Sequence, residues 1–305
     1  MIKPLRVLSL FDGIACGMQA FKECNIPIEV YYASEIENNA IKVAKSNHPE
    51  IIEIGDVTKI DFHDYIGKID IIIGGSPCQG FSVCGKRLAF NDERSALIKY
   101  FFDAVEIIKP KYFLLENVVM QKQYEHNIDD VLGVKAIRIN SALVSPQQRV
   151  RLYWTTIPGV KQPEQIPGLN IEREINLHGD TILRDTWPQG EMHILRPEPT
   201  KPVDRCFYYG HTGPHKNLTT TLYSIKGKYP TLTLSNSGNR FLINGKWKSF
   251  NACGYEVLQG LPIDYTKYAG EGGHKCREPL VGNGWCVPVI KHIFSYLKKD
   301  LGHVV

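Results

Sequence analysis

The chain has 305 residues, 43% of them hydrophobic, enough for one sizeable core or for a large domain beside a small one. No apolar run approaches the ~18–20 residues that span a bilayer, and Met1-Ile2-Lys3-Pro4-Leu5-Arg6 leads straight into a strand pattern with no apolar signal segment, so an intracellular protein without membrane spans is expected. The net charge of +4 is modest, and eight cysteines without framework spacing read as reduced thiols.

The first strand is predicted over 5–11. It runs through Ser9-Leu10-Phe11-Asp12-Gly13-Ile14-Ala15-Cys16-Gly17 into a helix over 17–24. Gly13 lets the backbone approach a ligand closely, and the spacing is not that of a nicotinamide-binding glycine fingerprint. A second strand over 30–34 ends at Glu35, ahead of a helix over 38–46; a third over 51–54 is followed by Asp56. An acid after the second strand is placed to accept both hydrogen bonds of a ribose diol, and one after the third to take an adenine amino group. Acids at these positions also serve as helix N-caps.

A buried strand over 69–73 delivers Gly74-Gly75-Ser76-Pro77-Cys78-Gln79-Gly80-Phe81-Ser82. Pro, Gln, Gly and Ser do not suit a core, so Cys78 reads as a nucleophile on the ligand side of the sheet. A helix over 95–108 and a strand over 112–115 then lead to Glu116-Asn117-Val118. A strand over 136–144 is followed by Gln147-Gln148-Arg149-Val150-Arg151, which opens a strand over 150–157. Strand alternation would set Arg149 and Arg151 on one face, as site cations or as surface ion-pair members. Near-continuous β-branched strands alternating with helices predict an α/β fold with a doubly wound, mostly parallel sheet.

Beyond Pro158 the periodicity is poor, and a second, smaller, irregular β or loop domain is expected over 161–250. Helical pattern returns near Cys253 and closes in a helix over 287–298, which is expected to pack back on the first domain. Residues 1–160 plus 251–305 are therefore assigned to one domain. Residues 201–250 hold eight Lys or Arg (Lys201, Arg205, Lys216, Lys226, Lys228, Arg240, Lys246, Lys248) against the single acid Asp204, and eight aromatics. The rest of the chain has 28 bases against 31 acids. A basic, aromatic-rich segment suits a polyanion, or is a solvated basic face. Cys253, His274 and Cys276 lack a CxxC pair, and no metal is expected.

Five segments in order, 11–17, 74–82, 116–118, 147–151 and 282–289, resemble the motif series of the cytosine-C5 DNA methyltransferases. Leu10–Ala15, Glu116–Met120 and Gly282–Ile290 look like the animal de novo enzymes, whereas Cys78–Ser82 followed by Gly85-Lys86-Arg87 looks like bacterial and phage enzymes. Two segments depart from the bacterial pattern: an inserted Gly-Trp-Cys after Asn283, and Asn251-Ala252-Cys253-Gly254 in place of Thr-Pro-x-Glu.

The resemblance implies methyl transfer from S-adenosyl-L-methionine to C5 of a cytosine flipped from double-stranded DNA. It implies Cys78 as nucleophile, with Glu116, Arg149 and Arg151 as catalytic partners. Phe11, Asp12, Gly13, Ile14, Cys16, Glu35, Ile36, Asp56, Val57, Asn283, Gly284 and Trp285 would hold the cofactor, and Pro77, Gln79 and Ser82 the substrate. Residues 161–250 would be the target-recognition domain, with Tyr208, Asn217 and Asn236 as candidate base readers. The protein would act in the cytoplasm of a prokaryote or phage-infected host, or in a nucleus, and a cognate restriction enzyme is left open. A transfer-RNA methyltransferase on this scaffold is expected to carry a Cys-Phe-Thr signature, which is not found here. A catalytically dead accessory protein would have no reason to keep Cys78, Glu116 and Arg151 together, and the glycine spacing disfavours a dehydrogenase.

Overall fold

The computed structural model describes residues 2–77, 97–186, 192–212, 221–233 and 240–303. The chain divides into two compact units: Met1–Ile139, Val150–Pro163 and Val289–Val305 form the first, and Asn140–Arg149 and Glu164–Pro288 the second.

The first unit follows the predicted alternation. Its elements are β1 (Leu5–Leu10), α1 (Cys16–Glu23), β2 (Ile28–Ser34), α2 (Asn38–Asn47), β3 (Ile52–Glu53), β4 (Ile71–Gly75), α3 (Ile98–Ile108), β5 (Tyr112–Val118), α4 (Lys122–Leu132), β6 (Ile137–Asn140) and β7 (Val150–Thr155). The sheet has the order β3-β2-β1-β4-β5-β7-β6. β2, β1, β4 and β5 are parallel neighbours, and β7 runs antiparallel to β5. This is the doubly wound, mostly parallel sheet read from the sequence. Strand order reverses between β1 and β4, and in such sheets the ligand crevice opens beyond the strand carboxyl ends at that point.

One face of the sheet is covered by α3. Its buried residues Ile98, Phe101, Ala104 and Ile108 recur every three to four positions and so share one helix face. They pack with Leu8, Leu10, Ile72, Phe113, Leu115 and Trp154. The contact leaves no room for a side chain at Gly74: a Cβ there would lie 2.9 Å from both the Leu10 carbonyl and the Phe101 ring, so a neighbour would have to shift. In the first unit Phe21 of α1 stacks on Phe294 of the closing helix, Val287–His303, at 4.1 Å between centroids. Lys291 pairs with Glu23, and Lys298 donates to the Cys24 carbonyl.

The second unit comprises α5 (Ile171–His178), β8 (Leu183–Asp185), β9 (Met192–Ile194), β10 (Tyr208–Thr212), β11 (Thr221–Tyr223), β12 (Phe241–Ile243), β13 (Lys246–Phe250), α6 (Ala252–Gln259) and α7 (His274–Asn283); the closing helix is α8. Two three-stranded antiparallel sheets have the orders β11-β10-β9 and β12-β13-β8. Tyr229, Phe241, Phe250 and Tyr255 form an aromatic core with neighbouring centroids 5.3–6.3 Å apart.

The structure departs from the sequence reading at three places. The stretch expected as β or loop contains α5, started by the Asn170 side chain, which accepts from the Arg173 N–H. Residues 251–288 lie in the second unit, because Tyr255 and Leu258 of α6 belong to its aromatic core. Arg149 precedes β7, so strand alternation does not orient it. Among the described residues no helix is long and apolar enough to cross a membrane.

Candidate active site

Beyond β1 the backbone turns through an unusual series: Phe11, Gly13 and Ala15 all have φ near +60° (59°, 60° and 59°). Left-handed backbone at two non-glycine residues costs of order 1–3 kcal/mol each, and such strain concentrates at ligand sites. The turn is tied to the end of β2. The Gly13 N–H donates to Glu35 Oε2 at 2.8 Å, while Glu35 Oε1 accepts from the N–H groups of Ile36 and Glu37. The N-cap of α2 is Glu37, not Glu35, so capping does not explain Glu35. Asp56, in contrast, is a cap: its Oδ1 accepts from the N–H and hydroxyl of Thr58, which hold its pKa below the usual carboxylate range. Ile36, directly after Glu35, is 72% exposed, an apolar side chain left bare at the strand end. Val57 and Cys16 are buried, as is Ile14.

Two further acids sit under this turn. Asp12 Oδ1 accepts from Ser9 at 2.5 Å and Tyr31 at 2.7 Å, whereas its buried Oδ2 has no hydrogen-bond partner among the described residues. Burial raises the Asp12 pKa to about 6. Glu53, at the end of β3, has both oxygens buried without a hydrogen-bond partner among the described residues, and burial with the nearby Asp12 charge raises its pKa to about 7. Glu53 was not singled out from the sequence; an acid inside a two-residue strand gives no pattern to read.

The register of β1 with β4 sets Leu10 beside Gly74, and that of β4 with β5 sets Gly75 beside Glu116. Segments 74–77 and 116–118 thus leave the sheet as neighbours. The Asn117 side-chain amide donates to the Ser76 hydroxyl at 2.9 Å, both residues buried. Val118 faces Arg151 across the antiparallel β5–β7 pair, so Arg151 and Glu116 share a sheet face. Arg151 Nε lies 3.0 Å from Glu116 Oε1, with side chains only 14% and 11% exposed. The structure therefore joins Glu116 and Arg151 in one ion pair. Pro77 is half-buried beside Ser76. Cys78, Gln79 and Ser82 lie outside the described residues, as do Lys86, Arg87 and Arg94.

Arg149 is held in the second unit. Its guanidinium donates to the Leu232 carbonyl at 3.0 Å and the Gly284 carbonyl at 3.3 Å, and the residue is buried. Gln147, buried and not singled out from the sequence, accepts the Leu232 N–H and donates to Gln259. Gly284 follows α7, with Asn283 exposed and Trp285 half-buried on either side. Cys253, Glu256 and Asp264 each bring a ligand-type atom within 4.8 Å of the others. Arg277 occupies that cluster, 2.8 Å from Glu256 and 3.1 Å from Asp264, making it an ion-pair network.

The basic segment is divided in use. Lys226 pairs with Glu172, and Lys248 with Asp180 and Asp185. Lys228 is fully buried, donating to the Ser145 carbonyl, and burial lowers its pKa to about 8. Arg240 is buried. Lys201, Arg205 and Lys246 are exposed.

The family model described as C-5 cytosine-specific DNA methylase matches residues 5–135. Orphan methyltransferase M.Rho11sI of Bacillus phage rho11s is 36% identical over 176 residues, covering 53% of this chain and 34% of the relative. Type II methyltransferase M.Eco47II of Escherichia coli is 41% identical over 201 residues, covering 61% of this chain and 46% of the relative. The chain thus spans about a third to under half of the length of these curated relatives. The solved structure of the Entamoeba histolytica methyltransferase EhMeth aligns with a TM-score of 0.71 at 17% identity, over 98% of this chain and 99% of that one, a likeness of fold. Residues 5–135 of the chain are thus similar to the C-5 cytosine-specific DNA methylases.

Proposed function

We propose that the chain methylates C5 of a cytosine in double-stranded DNA, with S-adenosyl-L-methionine as methyl donor and Cys78 as covalent nucleophile. The observation that carries this reading is the buried Glu116–Arg151 ion pair, held towards the carboxyl end of β5 beside β4, the strand that precedes Cys78. The residues beyond β1 and β2 fit the donor. Glu35 offers a carboxylate to two hydroxyls, bare Ile36 offers an apolar surface to a flat ring, and the unpartnered Oδ2 of Asp12 accepts from a cationic or N–H group. When bound, the donor supplies an electrophilic methyl group on a sulfonium sulfur.

The chain's own groups then account for the rest. The Cys78 thiolate bonds to C6 of the ring, and the displaced π electrons make C5 nucleophilic. Glu116 shares a proton with N3, and Arg151 both fixes Glu116 and sets a cation near O2. After C5 has taken the methyl group, its proton passes to water and the Cys78 thiolate leaves, restoring the ring. The base must leave the duplex to reach these groups. The second unit, the core of the expected target-recognition domain, holds the duplex and reads its sequence.

A duplex carrying 5-fluorocytosine tests the nucleophile, because fluorine blocks the final proton loss. The parent protein should form a stable covalent adduct in the presence of donor. Cys78→Ala should form none while retaining DNA and donor affinity. Adduct formation by Cys78→Ala would overturn the assignment.

A further inference from the structure

Among the described residues of the second unit, the most exposed run begins at the edge strand β9. Residues 192–198 are all exposed, and β9 has a neighbour on one side alone among the described residues. Within this run the backbone N–H groups of Leu195 and Arg196 both donate to the Tyr209 carbonyl, so the main chain is fixed. The Arg196 side chain is fixed as well. Its guanidinium carbon lies 4.2 Å from the Phe207 ring centroid and 4.5 Å from that of Tyr208, and Nε donates to the Tyr208 carbonyl at 2.7 Å.

That leaves the two terminal nitrogens. Among the described residues neither has a hydrogen-bond or salt-bridge partner, although the side chain itself is immobilised at three points. Stacking and the Nε bond hold the guanidinium plane, so the entropy normally lost when an arginine docks is already spent. An exposed, oriented pair of parallel N–H donors matches the adjacent O6 and N7 acceptors of guanine in the major groove. Exposed Lys201 and Arg205 add positive charge along the same connection to β10, against Glu198 and Asp204.

We infer that Arg196 is a specificity-determining residue that reads a guanine flanking the target cytosine. The inference rests on duplex DNA being the substrate. Tyr208, expected from the sequence as a base reader, stacks against the Arg196 guanidinium, and Asn217 and Asn236 lie outside the described residues.

The test uses the full chain, a duplex library randomised around one cytosine, and two readouts: methylated sequence context, and context enrichment by equilibrium binding without donor. The parent should favour guanine at one flanking position in both. Arg196→Lys keeps the charge and loses the fork. It should relax that single position and reduce kcat/KM on the preferred duplex roughly ten- to a hundredfold, with the salt dependence of binding unchanged. Arg196→Ala should relax the same position. An unchanged context in Arg196→Lys would overturn the inference. So would weakening across all sequences alike with a smaller salt slope in Arg196→Ala, which marks a phosphate contact. Thermal unfolding at the parent temperature confirms that both variants fold. A parent that neither binds nor methylates duplex DNA would instead overturn the proposed substrate, and the Arg196 assignment with it.

Discussion

Glu116 and Arg151 hold each other in a nearly water-free position, and the energetics of such a pair are asymmetric. Removing one partner strands a buried charge, at a cost of about 3–5 kcal/mol; removing both exchanges desolvation for packing and is often close to neutral. Arg151→Met should therefore destabilise the protein strongly, and Glu116→Gln with Arg151→Met should recover most of the loss while methyl transfer stays abolished. Chemical denaturation of the three proteins reads the first part, and a methylation assay the second. Recovery of activity with stability would mean that the pair only supports the fold. The two residues were legible in the sequence because each stands in a short motif at a strand end. Their ion pair, and the bond from Asn117 to Ser76, were not legible, because both depend on which strands pair across the sheet.

The acids below the β1 turn make a second prediction at this scale. Folding raises the pKa of Asp12 to about 6 and of Glu53 to about 7, so the folded chain binds more protons than the unfolded one between about pH 4 and 7. By linkage their contribution to stability falls as pH rises through that window. Buried His48, lowered to about 4, works in the opposite direction, since the unfolded chain takes up its proton below about pH 6.5. A variant comparison isolates the acid. The stability of Glu53→Gln relative to the parent should grow from pH 5 to pH 8, reaching about 1 kcal/mol. That is less than full linkage would give, because the Glu53 residue as a whole is only half-buried and its surroundings can relax around the charge. A pH-independent difference would show that Glu53 titrates normally.

At the scale of elements, the distance between β1, β4 and α3 is set by the absence of a side chain at Gly74. Gly74→Ala would press a methyl group against a backbone carbonyl and a buried ring, neither of which yields easily. The expected cost is about 1–3 kcal/mol, the usual penalty for overpacking. Because Gly74 lies beside Leu10, the shift should also reach the Phe11–Ala15 turn and weaken donor binding. Calorimetry and denaturation together test this; parent values for both would show that the strands have room to spare. The strands themselves were readable, since fully buried parallel strands leave long β-branched runs. Helix α5 was not, because eight residues followed by the cap Gly179 within a polar, loop-like stretch give little periodicity to detect. The place of α6 was hidden for a different reason: its pattern announces a helix, but only the aromatic residues contributed by distant strands decide which core it joins.

At the scale of the whole molecule, charge composition and charge placement give different answers. Counting Lys and Arg over 201–250 suggests a broad cationic surface, yet Lys226 and Lys248 are matched to acids outside that segment, and Lys228 and Arg240 are buried. A sequence count cannot separate these from free cations, because pairing and burial are set by residues far along the chain. If the second unit tracks phosphates, the exposed set Lys201, Arg205 and Lys246 carries the effect. Each phosphate contact contributes roughly 0.9 to the slope of log affinity against log salt on duplex DNA. Replacing all three with Gln should therefore flatten the slope by about 2 to 3 and weaken binding to every sequence alike. Replacing Lys226 and Lys248 with Gln should leave the slope unchanged. Methyl transfer at saturating DNA should survive in both variants, since Glu116 and Arg151 stand in the other unit. A salt titration of the three proteins on one short duplex decides the matter. An unchanged slope in the triple variant would remove these three cations from the DNA-binding surface, and a flattened slope in the Lys226 and Lys248 variant would mean that DNA displaces their acidic partners.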